Sequence, residues 1–329
     1  MPQITLGTKI ISCPSNEPLL DSLLKANRQI PFSCRQGLCQ SCLMRSLDAA
    51  PPANSQIGLK DTLRRQKYFL ACRCYPEHDM TIALPDQEGF KLSAQVINKQ
   101  LLAPDILRLE LQYQNPLDFY AGQFMNLQRD DGLSRSYSIA NTPNADHRLE
   151  FHIRRLNKGE FSNWLHENLT IGDTLTVSQA QGSCYYFPGN SEQPLFLIGT
   201  GTGLAPLIGI AKDALNQGHI GTIELFHGSR FREGLYLLDE LQELSLKHPN
   251  FRYTPCVSGE QNAIGLAQGR AHELAFTDKK SLRGWRVYLC GHPEMVAQGQ
   301  KMAYLKGASL KDIYADAFVV GKTASPATE

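Results

Sequence analysis

The 329-residue sequence carries almost no net charge, +1 from 33 basic and 32 acidic side chains, and has no dense basic run. That balance argues against nucleic acid as a partner. The amino terminus, Met1-Pro2-Gln3-Ile4-Thr5, lacks the charged and apolar regions of a signal peptide. No stretch reads as a membrane span. The nearest, Gln193 to Ala211, is uncharged, but four Gly, two Pro and two Thr divide it into shorter elements. Also missing are a Gly-x-Ser-x-Gly elbow and paired carboxylates that would call for general acid–base chemistry. His147, His152, His166, His219, His248 and His272 have no metal spacing and are expected on the surface or in packing. Apolar content of 42% and charged content of 20% suit a soluble chain with room for two or three cores. The nine cysteines fit a reducing cytoplasm better than a disulfide framework.

What the sequence does have is Cys34, Cys39, Cys42 and Cys72, spaced Cys-x4-Cys-x2-Cys-x29-Cys. This is the ligand pattern of plant-type 2Fe–2S centres. Four thiolates hold two irons only if a short loop wraps the inorganic core, and Gly37 suits such a loop because it tolerates positive φ. Zinc would favour the pairs Cys39/Cys42 and Cys72/Cys74 and leave Cys34 idle. Ordinary buried thiols are the other alternative, and the complete spacing favours the cluster. Around the loop, Ile4-Thr5-Leu6 and Lys9-Ile10-Ile11 predict a strand pair turning at Gly7. Leu19, Leu20, Leu23 and Leu24 give a helix over 17–26 one apolar face. Asp61 to Gln66 is a second short helix. Cys74 stands two residues after Cys72, so on a strand both side chains would share one face.

Pro85-Asp86-Gln87-Glu88-Gly89 is a polar break, and it separates residues 1–87 from the remainder of the chain. Beyond it the pattern predicts six short strands, at 92–98, 106–113, 123–128, 135–139, 149–154 and 174–178, as in a closed antiparallel barrel. Within them lies Arg135-Ser136-Tyr137-Ser138, and Gly159-Glu160-Phe161-Ser162 opens a helix. A cation and a helix N-terminus neutralise a pyrophosphate, and a Tyr ring can lie on an isoalloxazine. From about 191 onward strands alternate with helices. A strand at 195–198 runs into Gly199-Thr200-Gly201-Thr202-Gly203 and then a helix over 204–215. Such a turn lets backbone approach a pyrophosphate, although the spacing is not that of the Rossmann dehydrogenase fingerprint.

Residues 1–84 resemble the plant-type ferredoxin domain, an α+β β-grasp fold. The resemblance implies that Cys34 and Cys39 share one iron, and Cys42 and Cys72 the other. Residues 91–190 resemble the flavin barrel of the ferredoxin–NADP reductase superfamily, through Phe119 to Phe124, Arg135-x-Tyr137-Ser138, Phe151-His152-Ile153-Arg154 and Gly159-x-x-Ser162. It implies Arg135 at the FAD pyrophosphate, Tyr137 and Ser138 at the flavin ring, Phe151, Ile153, Arg154 and Phe161 beside the cofactor, and Gly159 to Ser162 at the phosphates. The family's Gly-Pro-x-Gly-x-Phe stretch reads Gly182-Ser183-Cys184-Tyr185-Tyr186-Phe187 here. Residues 191–329 resemble the superfamily's parallel-sheet α/β nucleotide domain. They imply a pyrophosphate turn at 199–203, Ser229 and Arg230 after a strand at 223–227, and Cys290-Gly291-x-Pro293-Glu294 beside the nicotinamide. The last strand, Ile313 to Phe318, is implied to end near the flavin. No acidic residue stands directly after His227 to mark the NADH ribose, and Ser229, Arg230 and Arg232 could take a 2′-phosphate.

The order of these parts, 1–87, 88–190 and 191–329, resembles the reductase components of multicomponent bacterial oxygenases. That resemblance implies NADH (NADPH as alternative), FAD and a 2Fe–2S cluster, and a separate iron-containing acceptor, expected to be an oxygenase. A deoxysugar dehydrase, a macromolecule-modifying iron enzyme, or a redox-sensing carrier role would leave the same sequence pattern. Hydride brings two electrons together and the cluster takes one, so a flavin stands between them.

Overall fold

A computed structural model describes residues 1–32, 34–37, 40–85, 91–115, 117–143, 146–260, 263–277 and 279–318, in two units, Met1–Phe90 and Lys91–Glu329. The predicted break at 85–89 thus falls largely outside the described residues.

In the first unit Gly7, at φ 62°, turns β1 (Gln3–Leu6) back onto β2 (Lys9–Ser12). The sheet continues through β3 (Leu43–Ser46), β4 (Tyr68–Leu70) and β5 (Met80–Ala83) in the order β2-β1-β5-β3-β4. Only the central β1–β5 pair is parallel. Helix α1 (Leu19–Lys25) buries Leu19, Leu20 and Leu23 in the same core as Ile4, Met44, Phe69 and Ile82. Helix α2 (Asp61–Arg65) is short, as its sequence predicts. A mixed sheet gripping one helix is the expected β-grasp arrangement.

The second unit begins with six antiparallel strands: β6 (Lys91–Ala103), β7 (Ile106–Tyr113), β8 (Phe124–Gln128), β9 (Ser134–Ser138), β10 (Arg148–Arg154) and β11 (Thr174–Ser178). Their order is β10-β7-β6-β11-β8-β9, and an antiparallel bridge between Ile139 and Phe151 joins the two ends. Closure removes the exposed edges that an open sheet would leave. Alternate residues fill the interior, with Leu109, Leu111, Met125, Leu127, Phe151, Ile153 and Val177 all sealed from solvent. Helix α3 (Glu160–Glu167) adds Phe161 and Leu165 to that core. Strand β6 runs well past the predicted end, with register shifts at Val96/Asn98 and Leu101/Ala103 that let it bend around the barrel.

The remainder is an all-parallel sheet of β12 (Leu195–Thr200), β13 (Ile223–Ser229), β14 (Phe251–Val257), β15 (Ala267–Gln268), β16 (Arg286–Gly291) and β17 (Ile313–Ala317). The order is β15-β14-β13-β12-β16-β17. Side chains of β12 and β16 alternate between two cores, one with α4 (Leu204–Asn216) and α5 (Leu238–Lys247), the other with α6 (Ala271–Thr277) and α7 (Pro293–Leu305). Strand order reverses between β12 and β16, so their carboxyl ends frame a crevice, the usual ligand position in such sheets.

The turn from β12 into α4 is built on absence of side chains. A Cβ on Gly203 would lie 2.2 Å from the Cys290 carbonyl oxygen, and one on Gly199 would lie 2.7 Å from Leu207 Cδ1. Both glycines therefore serve close packing of the turn against β16 and α4. Gly203→Ala must push backbone from backbone. Overpacking of this kind costs about 1–3 kcal/mol, which lowers the melting temperature of a region this size by about 2–10 °C. Calorimetry of the variant beside wild type checks it.

Candidate functional site

In the first unit two of the four predicted ligands meet and a third lies near them. Cys42 and Cys72 are hydrogen-bonded through their side chains, and Cys34 lies within electrostatic reach of Cys72. The Gly37 N–H donates to the Cys72 sulfur, and the Gln36 N–H donates to Cys34 Sγ at 3.4 Å. Gly37 has φ 81°, and the Arg73 side chain packs across it. Burial, reinforced by the neighbouring thiols, pushes the Cys72 thiol up to about 11. Sulfurs this crowded ionise together only around a cation, and backbone N–H groups already turned toward them suit an iron–sulfur core. The residues present fit the cluster. Cys39, the remaining predicted ligand, lies outside the described residues.

The strand that would place Cys74 on one face with Cys72 does not form. Strand β4 stops at Leu70, and Ala71–Arg73 form a 3₁₀ turn, so Cys72 and Cys74 do not share a strand face. The Cys74 thiol is hydrogen-bonded to Ser55 beside Cys13, fully buried, and burial pushes it up to about 12. Cys13 is held in turn by Ser22, whose Oγ is 3.2 Å from its sulfur. Cys74 belongs to the core.

The second unit contains a cavity of about 1400 Å³. Arg135, Tyr137 and Ser138 reach it from β9, Arg154 from β10, and Gly159, Phe161 and Ser162 from the start of α3. Thr200, Gly201 and Thr202 line it from the glycine turn, Ser229 and Arg230 from the end of β13, and Gly291, Glu294 and Phe318 from the end of the sheet. Two motifs of the barrel and three of the parallel sheet thus open into one space. Among the described residues Arg135 has no carboxylate partner; its Nη1 donates only to the Ser134 carbonyl, at 2.7 Å. Arg154 pairs with Asp105 at 3.1 Å, and its guanidinium lies over Gly201, where a Cβ would sit 2.7 Å from Nη1. Cations facing a glycine-lined wall and a helix N-terminus fit the phosphates of a dinucleotide. Tyr137 stacks on Phe161, ring centroids 6.1 Å apart, giving the wall an aromatic face that fits a flavin ring.

Several predicted residues stand behind the wall. Phe151 and Ile153 point into the barrel core, and strand alternation gives the cavity His152 and Arg154 instead. The resemblance implies Phe151 and Ile153 beside the cofactor, and this is corrected. Gly199, Gly203, Cys290 and Pro293 also do not line the cavity; Pro293 starts α7, whose first turn is capped by the His292 side chain. The Ser162 hydroxyl is spent on its own turn, accepting from Leu156 N–H and donating to the Gly159 carbonyl.

Two residues escaped sequence reasoning. Asp316 lines the cavity, and the Ser138 hydroxyl donates to its carboxylate at 3.1 Å, tying β9 to β17. Burial raises the Asp316 carboxyl above the usual carboxylate range. The only sequence signal was an acid inside a buried terminal strand. His152 is buried with its Nε2 2.8 Å from Glu150 and its Nδ1 3.1 Å from the Tyr236 hydroxyl, which joins the barrel to the nucleotide half. Burial lowers it, so it stands neutral near pH 7.

A barrel that presents cations and an aromatic wall, joined through one cavity to a doubly wound sheet, defines a flavin- and nicotinamide-dependent oxidoreductase. Sequence families agree part by part: residues 4–77 match the 2Fe-2S iron-sulfur cluster binding domain, 93–186 the oxidoreductase FAD-binding domain and 197–301 the oxidoreductase NAD-binding domain. The chain is 32% identical to the reductase subunit of an aromatic O-demethylase from Amycolatopsis, over 96% of this chain and 98% of that one. It is 31% identical to the ferredoxin–NAD(P)⁺ reductase component of a naphthalene 1,2-dioxygenase system from Pseudomonas putida, over 96% and 97%. Its structure matches that of the Amycolatopsis cytochrome P450 reductase with a TM-score of 0.69, at 31% identity, over 97% of this chain and 99% of that one. The chain belongs to the reductase components of oxygenase systems, and carries electrons from NAD(P)H through FAD to a 2Fe–2S cluster. Among the described residues no helix is long and apolar enough to cross a membrane.

This geometry sets the outcome of two experiments. Cys72→Ser should lose most of the cluster absorbance and the reduction of cytochrome c, while electrons still reach ferricyanide; Cys74→Ser should keep both activities and the visible spectrum. Loss of the cluster in Cys74→Ser instead would move the ligand. For Asp316, a folded pKa above the unfolded one gives stability that is present at low pH and lost as pH rises through the folded value. Asp316→Asn should therefore melt above wild type in the neutral and alkaline range, the gap closing below about pH 4. Melting curves across pH test the sign.

Proposed function

We propose that this chain is the NADH-dependent reductase of a multicomponent oxygenase system, working in the cytoplasm and handing electrons singly to a separate iron-containing oxygenase. The supporting observation is that one cavity gathers the Arg135–Ser138 motif, the Gly201-Thr202 turn and Phe318. The named relatives are components of such systems. In this reading the parts are 1–87 for the cluster, 88–190 for FAD and 191–329 for NAD(P)H.

When bound, FAD supplies the exchange between a hydride pair and single electrons. The chain's own residues hold and orient. Arg135, with Gly159 and the first N–H groups of α3, takes the FAD pyrophosphate; Tyr137 and Ser138 face the flavin ring. Thr200, Gly201 and Thr202, with Arg154 opposite, take the NADH pyrophosphate, and Ser229 and Arg230 its adenosine ribose. Gly291 and Glu294 form the nicotinamide end, with Cys290 buried directly behind Gly291 and Phe318 at the flavin side. Ser138 is fixed by Asp316, so its hydroxyl has a defined direction. The cluster is held by Cys34, Cys39, Cys42 and Cys72. None of these residues is asked for a proton; the protein supplies position and charge.

Arg135→Ala tests the flavin assignment. A charge-assisted phosphate contact contributes about 1.5–3 kcal/mol, one to two decades in affinity. The variant should lose FAD on gel filtration and keep the cluster spectrum. Full FAD retention would reject the role of Arg135. Comparison of kcat/KM for NADH and NADPH tests the coenzyme.

A further inference from the structure

Directly behind the cavity wall two cysteines meet. Cys184 Sγ and Cys290 Sγ are 3.7 Å apart, within hydrogen-bond range for sulfur and far from the roughly 2.05 Å of a disulfide. Both are sealed, at 4% and 0% exposure. Both backbones run close against a glycine. The Cys290 carbonyl abuts Gly203, and the Cys184 carbonyl lies 2.7 Å from where a Gly122 Cβ would stand. The next residue, Tyr185, is stacked on Tyr120 at 4.3 Å between ring centroids, and its carbonyl accepts from the Tyr288 hydroxyl at 3.2 Å. With both backbones so placed, the direction of the Cys290 thiol reduces to one torsion with three staggered choices.

Two neighbours select among them. The Asp316 N–H donates to the Cys290 sulfur, which leaves the Cys290 side chain one further hydrogen-bond partner among the described residues, the Cys184 thiol. Cys184 occupies an open position of the Gly-Pro-x-Gly-x-Phe stretch, so nothing in the motif explains a thiol there. The sulfur supplies an oriented contact.

We propose that Cys184 is a positioning residue for hydride transfer: its S–H···S contact, with the Asp316 N–H, fixes the buried Cys290 thiol and with it the Cys290–Gly291 turn, whose Gly291 lines the cavity assigned to NAD(P)H. This rests on the assignment of the Cys290–Gly291 turn to the nicotinamide end. The chain Cys184–Cys290–Asp316–Ser138 then runs unbroken from the stretch between barrel and parallel sheet, through the ends of β16 and β17, to β9. The thiols themselves are neither oxidised nor deprotonated; burial raises the Cys290 thiol far above its ordinary value.

The test uses the holoprotein and three variants, Cys184→Ala, Cys184→Ser and Cys290→Ala. The first readout is the infrared S–H stretch, which shifts to lower frequency when the thiol is hydrogen-bonded and is independent of turnover. The Cys290 band, identified by its loss in Cys290→Ala, should shift in Cys184→Ala. The second is the rate of flavin bleaching at saturating NADH in rapid mixing, with the NAD⁺ dissociation constant measured separately. Losing one weak neutral hydrogen bond should slow bleaching about two- to tenfold in Cys184→Ala. NAD⁺ affinity, FAD content and melting temperature should stay at wild type, and Cys184→Ser should recover most of the rate. An unmoved band, an unchanged rate, or a loss confined to FAD content and melting temperature each overturns the proposal. If Cys290→Ala also bleaches at the wild-type rate, the nicotinamide-end assignment of Cys290 falls with it. If only Cys290→Ala is slow, that assignment stands and the role of Cys184 is refuted.

Discussion

The close approach of the Gly199–Gly203 turn to β16 is the constraint on which the second unit depends. With no side chain at Gly203, the turn rests against the Cys290 carbonyl, and α4 begins within contact of two strands. That approach brings Gly201 and Thr202 to the cavity surface while Cys290 stays behind it. A methyl group at Gly203 would separate turn from strand and carry every group on the turn outward. Glycine is used here for thinness, since Gly203 has an ordinary helical φ of −60°.

The second theme is neutrality. His152 is fully buried between Glu150 and Tyr236, and burial holds His227, bonded to the Gly201 carbonyl at 3.1 Å, down at about 4. Asp316 is pushed the opposite way, toward its protonated form. Burial disfavours charge on each of them. Arg135 and Arg154 bring guanidinium groups to the same cavity. Carboxylates and the imidazoles of His272 and His292 also line the cavity, so the guanidinium groups are one part of its charge.

Most of this architecture was legible because its signals are local. Six barrel strands, the glycine turn and the terminal strand all announce themselves through period, punctuation or motif, and the structure moves their ends by a few residues. Failures arose where tertiary geometry overrode local pattern. Phe151 and Ile153 share a motif with Arg154, yet the pleat sends them to the opposite side of the strand from the cavity. Cys74 shares a run with Cys72, yet a single 3₁₀ turn breaks the alternation that would have put them on one face. Asp316 and Cys184 take their meaning from partners 178 and 106 residues away, Ser138 and Cys290. No window along the sequence contains those pairings.

The burial of Cys74 bears on how the metal centre is put together. A fifth thiol two residues from a ligand invites iron to settle on the wrong sulfur during assembly or after oxidative damage. Here that thiol is committed to Ser55 and Cys13 inside a packed core, while Cys34 retains partial access to solvent. Capturing iron at Cys74 would require opening that core first. In the folded β-grasp core, then, the thiol two residues beyond Cys72 is shielded from a stray iron by the same packing that gives the sheet and helix their shape.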